Sequence, residues 1–344
     1  MTIKGIISKR KLNPQTYWQI VYEWEDVFAE ILESPLLDMK KGVNDVFRNY
    51  IIRNWFSLLN YLYLPFFKIT RSSVPNNGLY LYFQMNINNA LHFSPFKKRK
   101  LVPYIIDSFF TEKDLPAIYR KYKYCPLVLI SSLEVYNYLK SKNCPLNLHF
   151  LPLSLSDRYR NKENVRYKKK YDAVAAGRPN PELHSYMEQY VKENPSFEYI
   201  SCRIVPNNNN DNIYEYYSNK KGKINVDFSS RESYLQFLKD GKISFYTTPG
   251  VSDANKTKGF NPVTPRYLEM LSCQNQIVAI YPDTEETRYF GLDKICPSIN
   301  SYTEFKSRIE KYMHEEADIE LYGQILDKHY TSQCAYELKN LFKN

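Results

Sequence analysis

The sequence lacks any long hydrophobic run. No segment approaches the roughly 20 uncharged apolar residues that a membrane-spanning helix requires. The N-terminal residues, Met1-Thr-Ile-Lys-Gly, have no apolar stretch of the kind found in signal peptides. We therefore expect a cytoplasmic protein.

Metal and disulfide signatures are also missing. None of the six cysteines forms a pair with metal-ligand spacing, which favours buried thiols in a reducing compartment over disulfides or zinc. The five histidines share no spacing, so each is better explained by packing or surface exposure than by ligation or base catalysis. We predict neither a bound metal nor a resident cofactor.

The composition indicates a folded chain of two domains. Its 344 residues, 43% of them hydrophobic and 16% aromatic, suffice for two domains of roughly 150 residues, each with its own core. The net charge of +10 admits nucleic acid, anionic lipid or phosphorylated small molecules as partners. Since no helix-turn-helix, zinc-finger or RNA-stacking signature occurs, we do not expect a nucleic-acid partner.

Two basic clusters are candidates for surface contacts, Phe96-Lys-Lys-Arg-Lys100 and the run from Arg158 to Lys170. A solvated linker face is the favoured interpretation of the second cluster. The alternative is peripheral contact with an anionic membrane, at its inner face, or with a lipid-diphosphate acceptor.

The order of elements predicts alternating strands and helices. Two helices are expected between Tyr17 and Leu64, followed by strands that end near Asn86 and Asp107 and by a strand–helix–strand unit from Pro126 to Leu151. A capping box, Ser131-x-x-Glu134, is predicted to begin the helix of that unit.

The pattern restarts after the second basic cluster. A strand ending at Gly177, a helix from Pro181, a hairpin in the Asn-rich region and a strand–helix–strand unit from Lys242 to Tyr281 are expected, then a strand at Ile295 and a helix from Ser301. We predict an α/β fold of two Rossmann-like lobes with a cleft between them. The expected divisions are residues 1–157, 171–317 and a helical segment, 318–344, that packs back on the N-terminal lobe.

The most informative window runs from Tyr246 to Leu271. Thr264 is a natural N-cap and Pro265 a natural first helical residue, so a helix begins there after a long loop. Its first turn, with Arg266, offers N–H groups and the positive end of a dipole to an anion. Glu269 lies one turn further among apolar residues, where a carboxylate needs donors such as a ribose diol.

This window resembles the retaining glycosyltransferases of GT-B fold, particularly bacterial ones that assemble surface polysaccharides. The likeness covers about residues 128–341 and is strongest from Phe245 to Met313. In that family a Glu on the helix after the donor loop binds the nucleotide ribose, which implies this role for Glu269. A second family Glu, eight positions upstream, is replaced here by Asn261, while Gly177-Arg178 matches the family's Gly-Arg after the first strand of the donor lobe.

The resemblance implies transfer of a sugar from a nucleotide diphosphate donor to a glycan or lipid-linked hydroxyl acceptor, without a metal. Arg178 and Arg266 are the candidate catalytic residues, stabilising the departing diphosphate. Lys256 or Lys258 are further sources of positive charge. The candidate donor-binding residues are Glu269, Asn261, Gly177, Thr248, Gly250, Thr264 and Lys258.

Other interpretations stay open. Glu269 also fits a solvent-facing position on an amphipathic helix, and Asp283 with Glu286 has the spacing of a structural capping box. Two other functions are a nucleotide-sugar epimerase on the same fold and a non-catalytic protein that binds nucleic acid.

Overall fold

The computed structural model describes residues 2–39, 75, 77–88, 99–161, 165–177, 180–206 and 212–343. The chain divides into two compact units. Unit 1 comprises Met1–Ser131, Tyr138–Leu151 and Thr331–Asn344, and unit 2 comprises Ser132–Asn137 and Pro152–Tyr330. Residues 318–330 thus belong to unit 2 and the last fourteen residues of the chain to unit 1.

Unit 1 is built on a six-stranded parallel sheet in the order β2-β1-β3-β4-β5-β6. Its strands are β1 (Ile3–Ser8), β2 (Leu36–Asp38), β3 (Gly78–Asn86), β4 (Arg99–Asp107), β5 (Val128–Ile130) and β6 (Leu148–Phe150). β5 is a continuous buried apolar run, as expected for a strand covered on both faces. The predicted strand ends Asn86 and Asp107 are confirmed and pair in register.

Helices flank this sheet. The described helices of the N-terminal part of the chain are α1 (Gln19–Ile31), α2 (Leu115–Tyr122) and α3 (Leu133–Ser141). The last helix of the chain, α13 (Thr331–Leu341), packs on α1 in unit 1, where Lys339 Nζ donates to Ile31 O at 2.7 Å. The second helix predicted before Leu64 lies outside the described residues.

Unit 2 has a six-stranded sheet in the order β10-β9-β8-β7-β11-β12. The strands are β7 (Tyr171–Val174), β8 (Tyr199–Pro206), β9 (Asn212–Ser218), β10 (Gly222–Ile224), β11 (Gly241–Thr247) and β12 (Gln276–Ile280). β8, β7, β11 and β12 are parallel, and β9 and β10 add an antiparallel hairpin at one edge. The predicted α/β class and two Rossmann-like lobes are confirmed by the two sheets.

The helices of unit 2 follow the predicted order. They are α4 (Pro181–Glu193), α5 (Arg231–Asp240), α6 (Pro249–Ser252), α7 (Ala254–Thr257), α8 (Pro265–Ser272), α9 (Glu285–Tyr289), α10 (Leu292–Ile295), α11 (Tyr302–His314) and α12 (Ile319–His329). The sequence of α11 predicts a buried stripe of Tyr302, Phe305, Ile309 and Tyr312; the last three are buried and Tyr302 is half-buried. Ser301 caps this helix by accepting a hydrogen bond from the Glu304 N–H.

Two local predictions are wrong. The strand expected at Ile295 is the helical turn α10, because Leu292 and Ile295, three residues apart, lie on one side of a single turn. The cap of α3 is Ser132, which accepts from Val135 N–H at 3.3 Å, whereas Ser131 Oγ donates to Ile106 O. The proposed box partner, Glu134, accepts instead from the distant Asn261 N–H.

Within the ranges given above, the structure contains no helix with the length and apolar character that crossing a bilayer demands.

Packing between β7 and β11 predicts the effect of enlarging Gly241. A Cβ on this residue would overlap the side chain of the fully buried Val174, so Gly241→Ala should lower the free energy of unfolding by about 1–3 kcal/mol. Gly323 in α12 has no atom within 4 Å of such a Cβ, and Gly323→Ala should instead gain about 0.5–1 kcal/mol. Urea unfolding of both variants measures these two changes in the free energy of unfolding. Changes of equal size and the same sign would contradict the prediction.

Candidate functional site

The candidate site lies at the topological switch point of the unit 2 sheet. β7 pairs with β8 on one side and with β11 on the other, so the chain leaves β7 in one direction and later returns to its opposite side. The connections that follow β7 and β11 therefore diverge, and ligands of open α/β sheets bind where this happens, at the carboxyl ends of the strands. These connections carry Gly177 and the segment from Thr248 to Thr264.

The structure brings Gly177 and Arg266 together. Gly177 has a left-handed backbone, φ 79°, which favours glycine. A Cβ placed on it would lie 2.7 Å from Nη2 of Arg266, so any side chain here would displace the guanidinium. The glycine predicted at the end of the first strand thus makes room for the arginine predicted at the start of α8.

Arg266 is half-buried, and its guanidinium makes no hydrogen bond to any residue that the structure describes. Burial lowers its pKa, but Tyr234, Glu269, Tyr246 and Tyr216 together outweigh burial and leave the pKa above its ordinary value. The side chain is therefore a permanent cation, with donors available to an anion.

Glu269 is buried, with 3% of its surface exposed, so the solvent-facing interpretation is wrong. Its Oε1 accepts from Nη2 of Arg231 at 2.7 Å. The expected need for a donor at this position is met by a side chain of α5. A carboxylate has about four acceptor positions, and this contact uses one of them.

Local charge at the switch point is positive. Arg231 and Arg266 carry two positive charges against the single negative charge of Glu269. The Arg231 guanidinium also lies over the rings of Tyr159 and Tyr234, at 5.9 and 5.6 Å from their centroids. The cluster is thus held rigidly and has an excess positive charge beside Gly177.

Arg231 is a site residue that sequence reasoning missed. It is the first residue of α5, after the N-cap Ser230, where a cation opposes the helix dipole. Arg266 has the same unfavourable position in the first turn of α8, so a cation at the start of a helix is the sequence signal that Arg231 also carries. Its partner Glu269 is 38 residues away, and no local pattern indicates that pairing.

A second group of predicted residues comprises Thr248, Gly250 and Asn261. The Thr248 hydroxyl donates to Oδ1 of Asn261 at 2.9 Å. A Cβ on Gly250 would overlap the Asn261 side chain and lie 2.6 Å from Phe260 O. The segment before α8 packs closely on α6, which explains the glycine at position 250. Thr248, Gly250 and Asn261 therefore contact one another and their neighbours in sequence.

The remaining predicted residues are placed as follows. Thr264 occupies the N-cap position of α8 but its side chain makes no capping hydrogen bond. Its own N–H donates to the Tyr246 hydroxyl at 3.0 Å, and Pro265 has no N–H, so the first turn offers fewer free donors than expected. Lys256 and Lys258 are exposed. Arg178 lies outside the described residues.

Glu286 is the second residue that the sequence concealed. Its spacing from Asp283 suggested a capping box, but Thr284 caps α9. Asp283 pairs instead with Arg288 at 2.5 Å. The buried Glu286 carboxylate accepts hydrogen bonds from Val263, Ser132 and Glu134. The capping-box interpretation of this acidic pair is therefore wrong.

The second basic cluster is engaged within unit 2. Lys169 donates to Cys273 O at 2.8 Å, and burial lowers its pKa to about 8. Lys170 pairs with Asp240 at 2.8 Å and Arg160 with Asp327 at 2.6 Å. These contacts hold the second basic cluster to unit 2. A solvated linker face would need no such contacts.

Within the described part of the chain, histidine, cysteine, aspartate and glutamate side chains form no group of three or more that could hold an ion.

Comparisons with known proteins give weak likenesses only. No protein-family model matches the sequence, and no curated protein matches it significantly. Among solved structures, the chain is similar to the GtfA/B complex, with 9% identity, 72% of this chain and 53% of that chain covered, and a TM-score of 0.44. It therefore spans about half the length of that structure.

Two other solved structures are matched over nearly their whole length. One is a DNA-modifying β-glucosyltransferase, with 13% identity, 100% of this chain and 98% of that chain covered, and a TM-score of 0.46. The other is the UDP-GlcNAc 2-epimerase from Methanocaldococcus jannaschii, with 8% identity, 100% and 99% covered, and a TM-score of 0.47. We draw neither family nor function from likenesses this weak.

The buried ion pair of this site gives a test of its energetics. Arg231→Met leaves the Glu269 carboxylate without its strongest partner and should lower the free energy of unfolding by roughly 3 kcal/mol. The double variant Arg231→Met/Glu269→Met should recover most of that loss, because no buried charge is then left unpaired. Urea unfolding of the two single variants and the double variant measures the coupling. Additive losses would show that the two side chains do not interact.

Proposed function

We propose that this protein is a glycosyltransferase that moves a sugar from a nucleoside diphosphate donor to a hydroxyl acceptor. The observation that carries the proposal is the Arg266 guanidinium, which stands at the switch point beside Gly177 with no hydrogen-bond acceptor among the described residues. A diphosphate supplies the acceptor oxygens and the negative charge that this cation lacks.

The donor is proposed to bind with its diphosphate at Arg266 and its ribose at Glu269. The two residues are three apart on α8 and so lie on one helix face. Glu269 keeps acceptor positions for the two ribose hydroxyls after bonding to Arg231. Recognition of the ribose would then hold the diphosphate against the guanidinium.

Bond cleavage between the sugar and the diphosphate places negative charge on the leaving diphosphate. A fixed cation beside it stabilises the transition state more than the ground state, because the charge develops during the step. We assign this role to Arg266 and, from the family resemblance, to Arg178. No metal is required by this scheme.

The finer assignments rest on the sequence resemblance. We propose a retaining outcome, a hexose as the transferred sugar, and a glycan or lipid-linked acceptor in capsule, exopolysaccharide or lipopolysaccharide assembly. A protein with such an acceptor would work in the cytoplasm at the inner face of the membrane.

Nucleotide binding tests the proposal. Calorimetry should detect binding of UDP or GDP to the wild-type protein. Arg266→Ala should weaken it about 10- to 100-fold, because one charge-assisted contact is lost. Lys192→Ala is a control with the same change in net charge, since Lys192 is exposed in the last turn of α4, about 16 Å along the helix from its start.

Two results would contradict the proposal. One is the absence of any nucleoside diphosphate binding by the folded protein. The other is release of an epimerised sugar from a nucleotide sugar without acceptor, which would make the protein an epimerase.

A further inference from the structure

Glu286 ties together two distant parts of unit 2. Its Oε1 accepts from Val263 N–H at 2.8 Å, and its Oε2 accepts from Ser132 Oγ–H at 2.6 Å and from Glu134 N–H at 3.1 Å. Ser132 and Glu134 belong to the segment Ser132–Asn137 of unit 2, and Val263 lies two residues before α8. Three donors thus converge on one carboxylate that is 1% exposed.

A second carboxylate continues the same arrangement. Oε2 of Glu134 accepts from Asn261 N–H at 2.7 Å, and the Tyr246 hydroxyl accepts from Thr264 N–H at 3.0 Å. The backbone of residues 261–264 is therefore held at three N–H groups by three side chains. Each of these side chains comes from a different element, namely α9, α3 and β11.

This backbone leads directly into the helix that carries the donor site. Arg266 lies three residues after Val263, and Glu269 lies six residues after Val263. We propose that Glu286 is a positioning residue of the donor site, which fixes residues 261–264 and thereby the place of the Arg266 guanidinium. The ligand named in this inference rests on the proposed function, whereas the hydrogen bonds of Glu286 are independent of that function.

Glutamine cannot replace this carboxylate. An amide has one oxygen and one NH₂ group, so Glu286→Gln cannot accept from both Val263 N–H and Glu134 N–H, which donate to different oxygens. Its NH₂ group would face one of these two N–H donors. A protonated Glu286 is limited in the same way, since its hydroxyl is a donor.

The carboxylate is maintained at a cost to stability. Burial raises the pKa of Glu286 to about 7, against the three hydrogen bonds that lower it, and the nearby Glu134 raises it further. Burial also raises the pKa of Glu134, and it raises the pKa of Tyr246 to about 12. Because folding raises the pKa of Glu286, its protonation stabilises the folded chain as the pH falls through about 7.

Stability and binding should therefore respond to pH in opposite directions. As the pH falls from about 8 to about 6, the wild-type protein should gain thermal stability relative to Glu286→Gln. Over the same range it should lose affinity for the donor, because a protonated Glu286 no longer accepts from both Val263 N–H and Glu134 N–H. A side chain that served folding alone would give both changes the same sign.

Amide hydrogen exchange tests the positioning without a ligand. In Glu286→Gln, exchange of the segment 259–264 should become about tenfold faster, because one net hydrogen bond of about 1.4 kcal/mol is removed. Glu285→Gln is the matched control, since Glu285 is the exposed neighbour on the same helix and, within the described part of the chain, its side chain bonds only to Asn137. Equal exchange in wild type and Glu286→Gln would overturn the inference.

Calorimetry with UDP-glucose and GDP-mannose completes the test, because their diphosphate diesters do not titrate near neutral pH. For the one that binds, Glu286→Gln should weaken affinity about tenfold and abolish its pH dependence, while Glu285→Gln binds as wild type. Unchanged binding by Glu286→Gln would overturn the positioning role alone. If neither compound binds wild type while the exchange result holds, the proposed function falls and the positioning of residues 261–264 stands.

Discussion

The candidate site depends on one buried interaction, the pairing of Glu269 with Arg231. Each is at least nine-tenths buried, and alone neither charge would be tolerated in that position. Together they neutralise one another and leave Arg266 as the excess cation beside Gly177. The site is therefore positive because one carboxylate faces two guanidinium groups.

The fold places this excess charge where an α/β sheet binds ligands. β7 lies between β8 and β11, so the loop with Gly177 and the helix with Arg266 meet at the carboxyl ends of neighbouring strands. The left-handed backbone at Gly177 and the absence of a side chain there allow the guanidinium to approach. Backbone geometry and charge thus both favour an anion beside Gly177.

Positioning of α8 adds a second requirement that packing alone does not explain. Burial raises the pKa of Glu286 to about 7, so its ionised form costs stability above that pH. Through this carboxylate the Val263 N–H, in the backbone before α8, is tied to Ser132 and Glu134. Functional sites commonly keep such groups at the expense of stability.

Local sequence signals predicted the elements well and the partners poorly. The helix beginning at Pro265, the glycine after β7 and the buried Glu269 follow from capping chemistry, backbone freedom and the apolar surroundings of a carboxylate. Arg231 and Glu286 were missed because their partners are distant in sequence, 38 residues in one case and 154 for the Ser132 contact. The spacing of Ser131 and Glu134 predicted that Ser131 caps α3, but Ser132 provides the cap. A three-residue spacing does not reveal where the side chains point.

We propose that a nucleoside diphosphate binds at Arg266, and a crystal structure of the wild-type protein with UDP-glucose tests this proposal. Diphosphate oxygens are expected about 2.7–3.2 Å from the Arg266 guanidinium nitrogens, with the ribose hydroxyls on Glu269. A diphosphate bound elsewhere, with Arg266 untouched, would contradict it.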